Sequence, residues 1–263
     1  MSESLKEKTA TGLFWGAMNS GTTQVLNLVF GIVLGRLLSP ADYGIVGVLM
    51  VFTAIAGNLQ SSGFTQGLIN LKHPTRNDYN SVFWFNVLVS LTVYAVLFFC
   101  APLIAKFFHE PRLTTLSRFV FLTFLISSLG ITSNAYMTKN MMNRELMVCG
   151  GVALLGSGTV GTVLAFNGFA YWSLAWQQVV YITLLNLCRF YYTPRIANLH
   201  IDFGPVRRMF RFGMRLLVTN IINTLSQNVL TFIFGRLYPM HAVGNFSQAN
   251  KWNTMADSFV ANT

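Results

Sequence analysis

Apolar residues run along this chain in stretches of more than twenty, separated by short clusters of Pro, Gly and charged residues. Crossing the hydrocarbon core of a bilayer takes about 20 helical residues, so stretches of this length predict transmembrane helices. Reading apolar runs against breakers places helices at 13–38, 43–71, 79–108, 113–138, 142–166, 170–192 and 213–237, with an eighth starting near Ala242. Pro40, Pro74, Pro111 and Pro239 fall between these segments, where a missing N–H costs a helix nothing. Pro102 lies inside the third helix and predicts a kink near its end. The pattern is that of an all-α, polytopic membrane protein.

One break in the pattern returns. Gly35, Arg36, Leu37 and Gly44 recur, two hundred positions on, as Gly235, Arg236, Leu237 and Gly244 without a gap. Each copy lies between two apolar segments and reads as a tight turn joining two spans. The second copy therefore opens a second half of the protein.

Polar positions inside the spans follow the same register. Ser20, Gln24, Asn27 and Gly31 lie at i, i+4, i+7 and i+11, on one face of the first helix. Asn220, Thr224, Gln227 and Thr231 repeat that stripe in the seventh helix, and Ala54, Asn58, Ser61 and Thr65 form another in the second. Each unsatisfied polar group facing lipid would cost several kcal/mol. Such stripes face either a neighbouring helix or a wet cavity, and their repetition favours the cavity. Lys251 lies more than about 10 Å beyond the second turn at helical rise. An ammonium at that depth is a functional candidate, the bland alternative being a snorkelling side chain.

Composition agrees with the pattern: 53% of the 263 residues are hydrophobic and 10% charged, against about 25% charged in soluble domains. The net charge of +10 sits in loops between apolar runs, which points to membrane orientation rather than nucleic acid. With the N-terminus cytoplasmic, twelve Lys and Arg fall on the inner side and five on the outer. The positive-inside rule therefore favours an inner N-terminus. The connection 193–212 reads as an amphipathic linker: Pro205 starts a helix, Val206, Met209, Phe210 and Gly213 share a face, and Arg207, Arg208 and Arg211 point to headgroups.

Other chemistry is thin. Cys100, Cys149 and Cys188 fall in separate apolar segments and read as packing residues; His73, His109, His200 and His241 are scattered over loops, so no metal site and no cofactor are expected. Asp257 alone among the eight acids reads as intramembrane, and no two acids are spaced for general acid and base work. The protein is not read as an enzyme. Gly156, Gly158 and Gly161 spell G-x-G-x-x-G but lack the strand and acidic residue of a dinucleotide loop. Ala153, Ser157 and Gly161, like Gly12, Gly16 and Ser20, instead predict small-residue packing faces.

At Leu38-Ser39-Pro40-Ala41-Asp42-Tyr43-Gly44, following Gly35-Arg36, the chain resembles the polysaccharide transporter family, the Wzx-type flippases of the multidrug/oligosaccharidyl-lipid/polysaccharide superfamily. The opening Gly12-Leu13-Phe14-Trp15, the pair Gly63-Phe64, and Phe246 to Trp252 carry the same resemblance. It implies two pseudo-symmetric six-helix bundles enclosing a cavity that opens alternately to either side. The expected division is then a cytoplasmic tail (1–11), a first bundle (12–192), the linker (193–212) and the first two helices of a truncated second bundle (213–263). The implied activity is translocation of a polyprenyl-pyrophosphate-linked oligosaccharide, an O-antigen, capsule or exopolysaccharide repeat unit, across the bacterial inner membrane. The alternative is a cation-coupled multidrug exporter of the same superfamily. Implied partners are the lipid-linked oligosaccharide, membrane lipids, and a glycan polymerase with other polysaccharide assembly proteins. Gln24, Asn27, Asn58, Asn223 and Gln227 are the candidates for sugar hydroxyls; Lys251, and Arg215 at the inner mouth, are those for the pyrophosphate.

Overall fold

The structure, a computed structural model, describes the backbone of residues 5–61, 64–194 and 204–261 and the side chains of 14–16, 18–57, 66–194 and 218–253. Its described residues form ten helices: α1 (Leu5–Leu37), α2 (Pro40–Ser61), α3 (Phe64–Asn70), α4 (Arg76–Phe107), α5 (Leu113–Val120), α6 (Leu122–Lys139), α7 (Asn143–Phe166), α8 (Tyr171–Tyr192), α9 (Gly204–Leu237) and α10 (Met240–Ala261). One expected span, 113–138, is divided at Phe121 into α5 and α6, while α2 and α3 flank residues 62–63, which lie outside the described residues; the ten helices thus correspond to the eight expected segments. α4 continues through Pro102 to Phe107. The linker meets the seventh span differently from expectation, since the backbone from Gly204 to Leu237 is one uninterrupted helix.

Short-range chemistry sets the turns. Ser39 caps α2 with a reciprocal box: its N–H and hydroxyl donate to Asp42 Oδ2 at 3.0 and 2.6 Å, and Asp42 N–H donates back to Ser39 Oγ at 3.3 Å. Pro40 follows at the first helical position, where its fixed φ suits the helix and no N–H is needed. Thr75 and Asp78 build the same box on α4. At the end of α3, Lys139 of α6 donates to the carbonyl of Ile69 at 2.9 Å and also to that of Leu71, placing a cation where the helix leaves unpaired carbonyls. Asp42→Ala should lower stability in detergent by about 1 kcal/mol, the ordinary worth of an N-terminal cap, with no change in the cavity. Thermal unfolding checks it.

Four helical stretches among the described residues are long and apolar enough to cross a membrane: Pro40–Gly57, Arg76–Phe107, Leu113–Lys139 and Asn143–Phe166. Large side chains project outward from them, Phe99 at 76% and Leu103 at 65% exposure among them, as suits a surface bathed in lipid. The protein is a multi-pass membrane protein.

α7 packs between α1 and α8, and its small residues make that possible. A Cβ on Gly158 would strike the Phe30 ring of α1; one on Gly156 would meet Leu184 of α8; one on Gly161 would lie 3.0 Å from Gln177 Cβ. The G-x-G-x-x-G is thus a packing surface, with Ala153 and Ser157 buried along it. Gly16 behaves otherwise, a Cβ there having none of the described residues within 4 Å, and Gly12 lies outside the residues whose side chains are described.

Across the end of the bundle that carries the 38–39 turn, the two halves touch. α2 and α10 cross backbone to backbone: a Cβ on Gly44 would fall on the Met240 carbonyl, and one on Gly244 on that of Pro40. The contact is reciprocal across the two-hundred-residue repeat, as a pseudo-two-fold axis through the crossing requires. Beside it, Phe232 of α9 stacks on Phe107 with centroids 5.4 Å apart and meets Phe108 edge-on. Arg236 lies over the Phe107 ring and 3.1 Å from His109 Nδ1.

At the same end, Arg112 donates to Glu110 through Nε and Nη2 at 2.7 and 3.0 Å and covers the Tyr171 ring. The guanidinium holds the Glu110 carboxyl below its ordinary value. A lowered folded-state value means that the pair stabilises fully above the ordinary glutamate pKa of about 4.3, and that this stability is lost as pH falls through the lowered one. Arg112 is half exposed, so the worth is under about 1 kcal/mol. Glu110→Gln should remove that small acid limb from a plot of melting temperature against pH.

Candidate functional site

A cavity of about 750 Å³ opens between the halves, walled by α1, α2, α7 and α8 on one side and by α9 and α10 on the other. α1 contributes Thr23, Gln24 and Asn27, and α8 Gln177, Gln178 and Tyr181. From the second half come Asn228 and Thr231 of α9 and Ser247, Gln248, Asn250 and Lys251 of α10. α2 and α7 add Tyr43 and Ser157 among the apolar Val46, Met50 and Leu154. Amides and hydroxyls dominate, and the described lining contains no Asp or Glu.

Each wall is positioned by packing already described. Gly44 and Gly244 bring α2 against α10, so that Gly47 faces Ser247, whose hydroxyl is buried and has no partner among the described residues. Tyr43 and Gln248 line the cavity from either side of the same crossing. One turn past Ser247, Lys251 lines the cavity beside Gly31 of α1, where Trp252 also packs: a Cβ on Gly31 would lie 3.5 Å from the indole and 3.9 Å from Lys251 Nζ. Lys251 has no hydrogen bond or ion pair to any described residue. An ammonium facing a hollow whose described lining is rich in amides and free of acids suits an anionic group with hydroxyls around it.

Of the residues singled out in the sequence, the structure brings Gln24, Asn27 and Lys251 together in this cavity. Asn223 and Gln227 are exposed and off the lining; α9 presents there Thr231, a member of the expected stripe, and Asn228, which was not. The side chains of Asn58 and Arg215 lie outside the described residues. Sequence reasoning passed over Gln177 and Gln178, although two adjacent amides within an otherwise apolar helix were a visible signal. Among the described residues no cluster of His, Cys, Asp or Glu is placed to hold a metal.

Residues 33–263 match the family of polysaccharide biosynthesis proteins. The chain belongs to that family. Over 252 residues it is 26% identical to the lipopolysaccharide biosynthesis protein WzxC of Escherichia coli strain K12, covering 94% of this chain and 50% of that protein. It is 24% identical over 262 residues to the succinoglycan biosynthesis transport protein ExoT of Rhizobium meliloti strain 1021, covering 99% and 53%. The chain thus spans about half the length of the relatives it matches. Its fold is similar to that of a multidrug resistance transporter of the MATE family, of the MOP superfamily, in an inward-facing conformation: TM-score 0.56 at 15% identity, over 86% of this chain and 57% of that one.

Proposed function

We propose that the protein moves a polyprenyl-pyrophosphate-linked oligosaccharide across the bacterial inner membrane by alternating access. The observation that carries this reading is the cavity: polar, free of carboxylates among its described residues, furnished with an ammonium, and built between halves related by the repeat. A sugar head group matches the amides, the pyrophosphate matches Lys251, and the lipid tail stays in the bilayer beside the apolar outer surface. Relatives named for lipopolysaccharide and succinoglycan biosynthesis support the substrate class. Transport of this kind breaks and forms no covalent bond, so no catalytic residue is assigned.

Gln24 and Asn27 bind sugar hydroxyls in this reading, with Asn58, Asn223 and Gln227 joining them as the halves rearrange. Arg215 meets the pyrophosphate at the inner mouth before Lys251 does. The excess of basic residues supports a cytoplasmic N-terminus and 193–212 segment, with the Gly44–Gly244 crossing at the outer face. With the halves joined there, this is a state closed to the outside. A glycan polymerase is the natural recipient of the product.

Reconstituting the protein in vesicles and following a fluorescent undecaprenyl-pyrophosphate-linked oligosaccharide between leaflets tests the reading. Faster movement than in protein-free vesicles is expected. No acceleration, with efflux of a cationic dye instead, would reject it in favour of a drug exporter of the same fold.

A further inference from the structure

Gln177 and Gln178 have no place in the roles assigned so far, yet they are the most pointed polar feature of the first-half wall. They neighbour one another on α8, both line the cavity, and neither has a hydrogen-bond partner among the described residues. The stem of Gln177 is laid against α7 at Gly161, where a Cβ would stand 3.0, 3.2 and 3.3 Å from its Cβ, Cγ and Cδ. Any larger residue at position 161 would push that stem away. Opposite them, Ser247 and Lys251 lie one turn apart on the same face of α10 and also border the cavity.

We infer that Gln177 and Gln178 form a hydroxyl-recognition site that distinguishes a glycosylated lipid pyrophosphate from the bare carrier, with Gly161 as the residue that positions Gln177. The inference rests on the proposed substrate class and divides its recognition in two. Each primary amide offers two donors and an acceptor, which matches the hydroxyls and ring substituents of a sugar. Lys251, whose ammonium only donates, is suited to the pyrophosphate that every carrier shares. A bare carrier would satisfy Lys251 and leave both amides unpaired, and a site with unpaired polar groups rejects the smaller ligand. In this way the cavity favours a loaded carrier over the empty one that must remain behind.

The test measures affinity of the full chain in lipid nanodiscs for two probes, undecaprenyl pyrophosphate and the same lipid carrying N-acetylglucosamine. The wild type is expected to prefer the glycosylated probe by about tenfold or more. Gln177→Ala with Gln178→Ala should bring that ratio to near one, the glycosylated probe weakening while the bare carrier binds no more weakly than to the wild type, since it no longer leaves amides unpaired. Gly161→Ala should lower the ratio partway, and Lys251→Ala should weaken both probes by a similar factor and keep it. Thermal melting of each variant separates loss of selectivity from loss of fold. A wild type with no preference, or a double variant that keeps it or weakens both probes equally, would overturn the inference. Selective binding without leaflet transfer would instead reject the flippase reading and leave the amide site standing.

Discussion

Replacing Gly44 by valine is expected to cost at least about 3 kcal/mol of stability and to remove most folded protein from the membrane fraction. A side chain at this position would fall on the backbone carbonyl of Met240. Backbone has no rotamer by which to move aside, so α2 and α10 must separate and the seam between the halves opens with them. Gly244→Val should do the same through Pro40, because the two contacts are mates across the repeat. Gly57 supplies the control within the same helix: none of the described residues lies within 4 Å of a Cβ there. Gly57→Ala should gain about 0.5–1 kcal/mol from helix propensity alone. Thermal unfolding in detergent, read alongside the yield of folded protein, compares the three variants. Equal stability of the Gly44 and Gly57 variants would mean that the crossing is not a close one.

Lys251→Ala is expected to slow leaflet transfer of the lipid-linked oligosaccharide at least tenfold, the equivalent of about 1.4 kcal/mol of lost interaction with the pyrophosphate. Folding should be unaffected or improved, because an ammonium without an ion-pair partner among the described residues contributes no attraction to the empty protein and carries a desolvation cost. Lys251→Arg should retain most of the activity, since the charge and the reach are kept. The combination discriminates: a structural lysine would show its loss in melting temperature, and a substrate contact in the transfer rate. Normal transfer by the alanine variant would remove Lys251 from the site.

Much of this molecule was legible before its fold was known. Apolar runs and prolines placed the passes, because a span is a local property of twenty consecutive residues in a low-dielectric medium. The Ser39-Pro40-Ala41-Asp42 turn carries its own cap, and its chemistry needs nothing from elsewhere in the chain. The polar stripe of α1 led to Gln24 and Asn27 because the helical period puts them on one face. The rotation of α9 was legible only in part: Thr231 of the expected stripe lines the cavity, and Gln227 does not. Successive residues of a helix differ by about 100° in direction, so a single step separates Gln227, which is exposed, from Asn228, which lines the cavity. That rotation is set by what α9 packs against, including Phe107, Phe108 and Val48 of the first half.

The repeated turn illustrates the same division. The sequence by itself determined that Gly35–Gly44 and Gly235–Gly244 are two copies of one element in register, and that each joins two spans. Only the tertiary structure decided that Gly44 and Gly244 meet each other, that Gly158, Gly156 and Gly161 of α7 seat Phe30, Leu184 and Gln177, and that Gln177 and Gln178 look into a cavity rather than into lipid. Propensity, capping and hydropathy act within a few turns of chain and are written in its order. The facing of one helix by another depends on side-chain volumes from segments as far apart as α2 and α10, and those terms enter only once the halves are assembled.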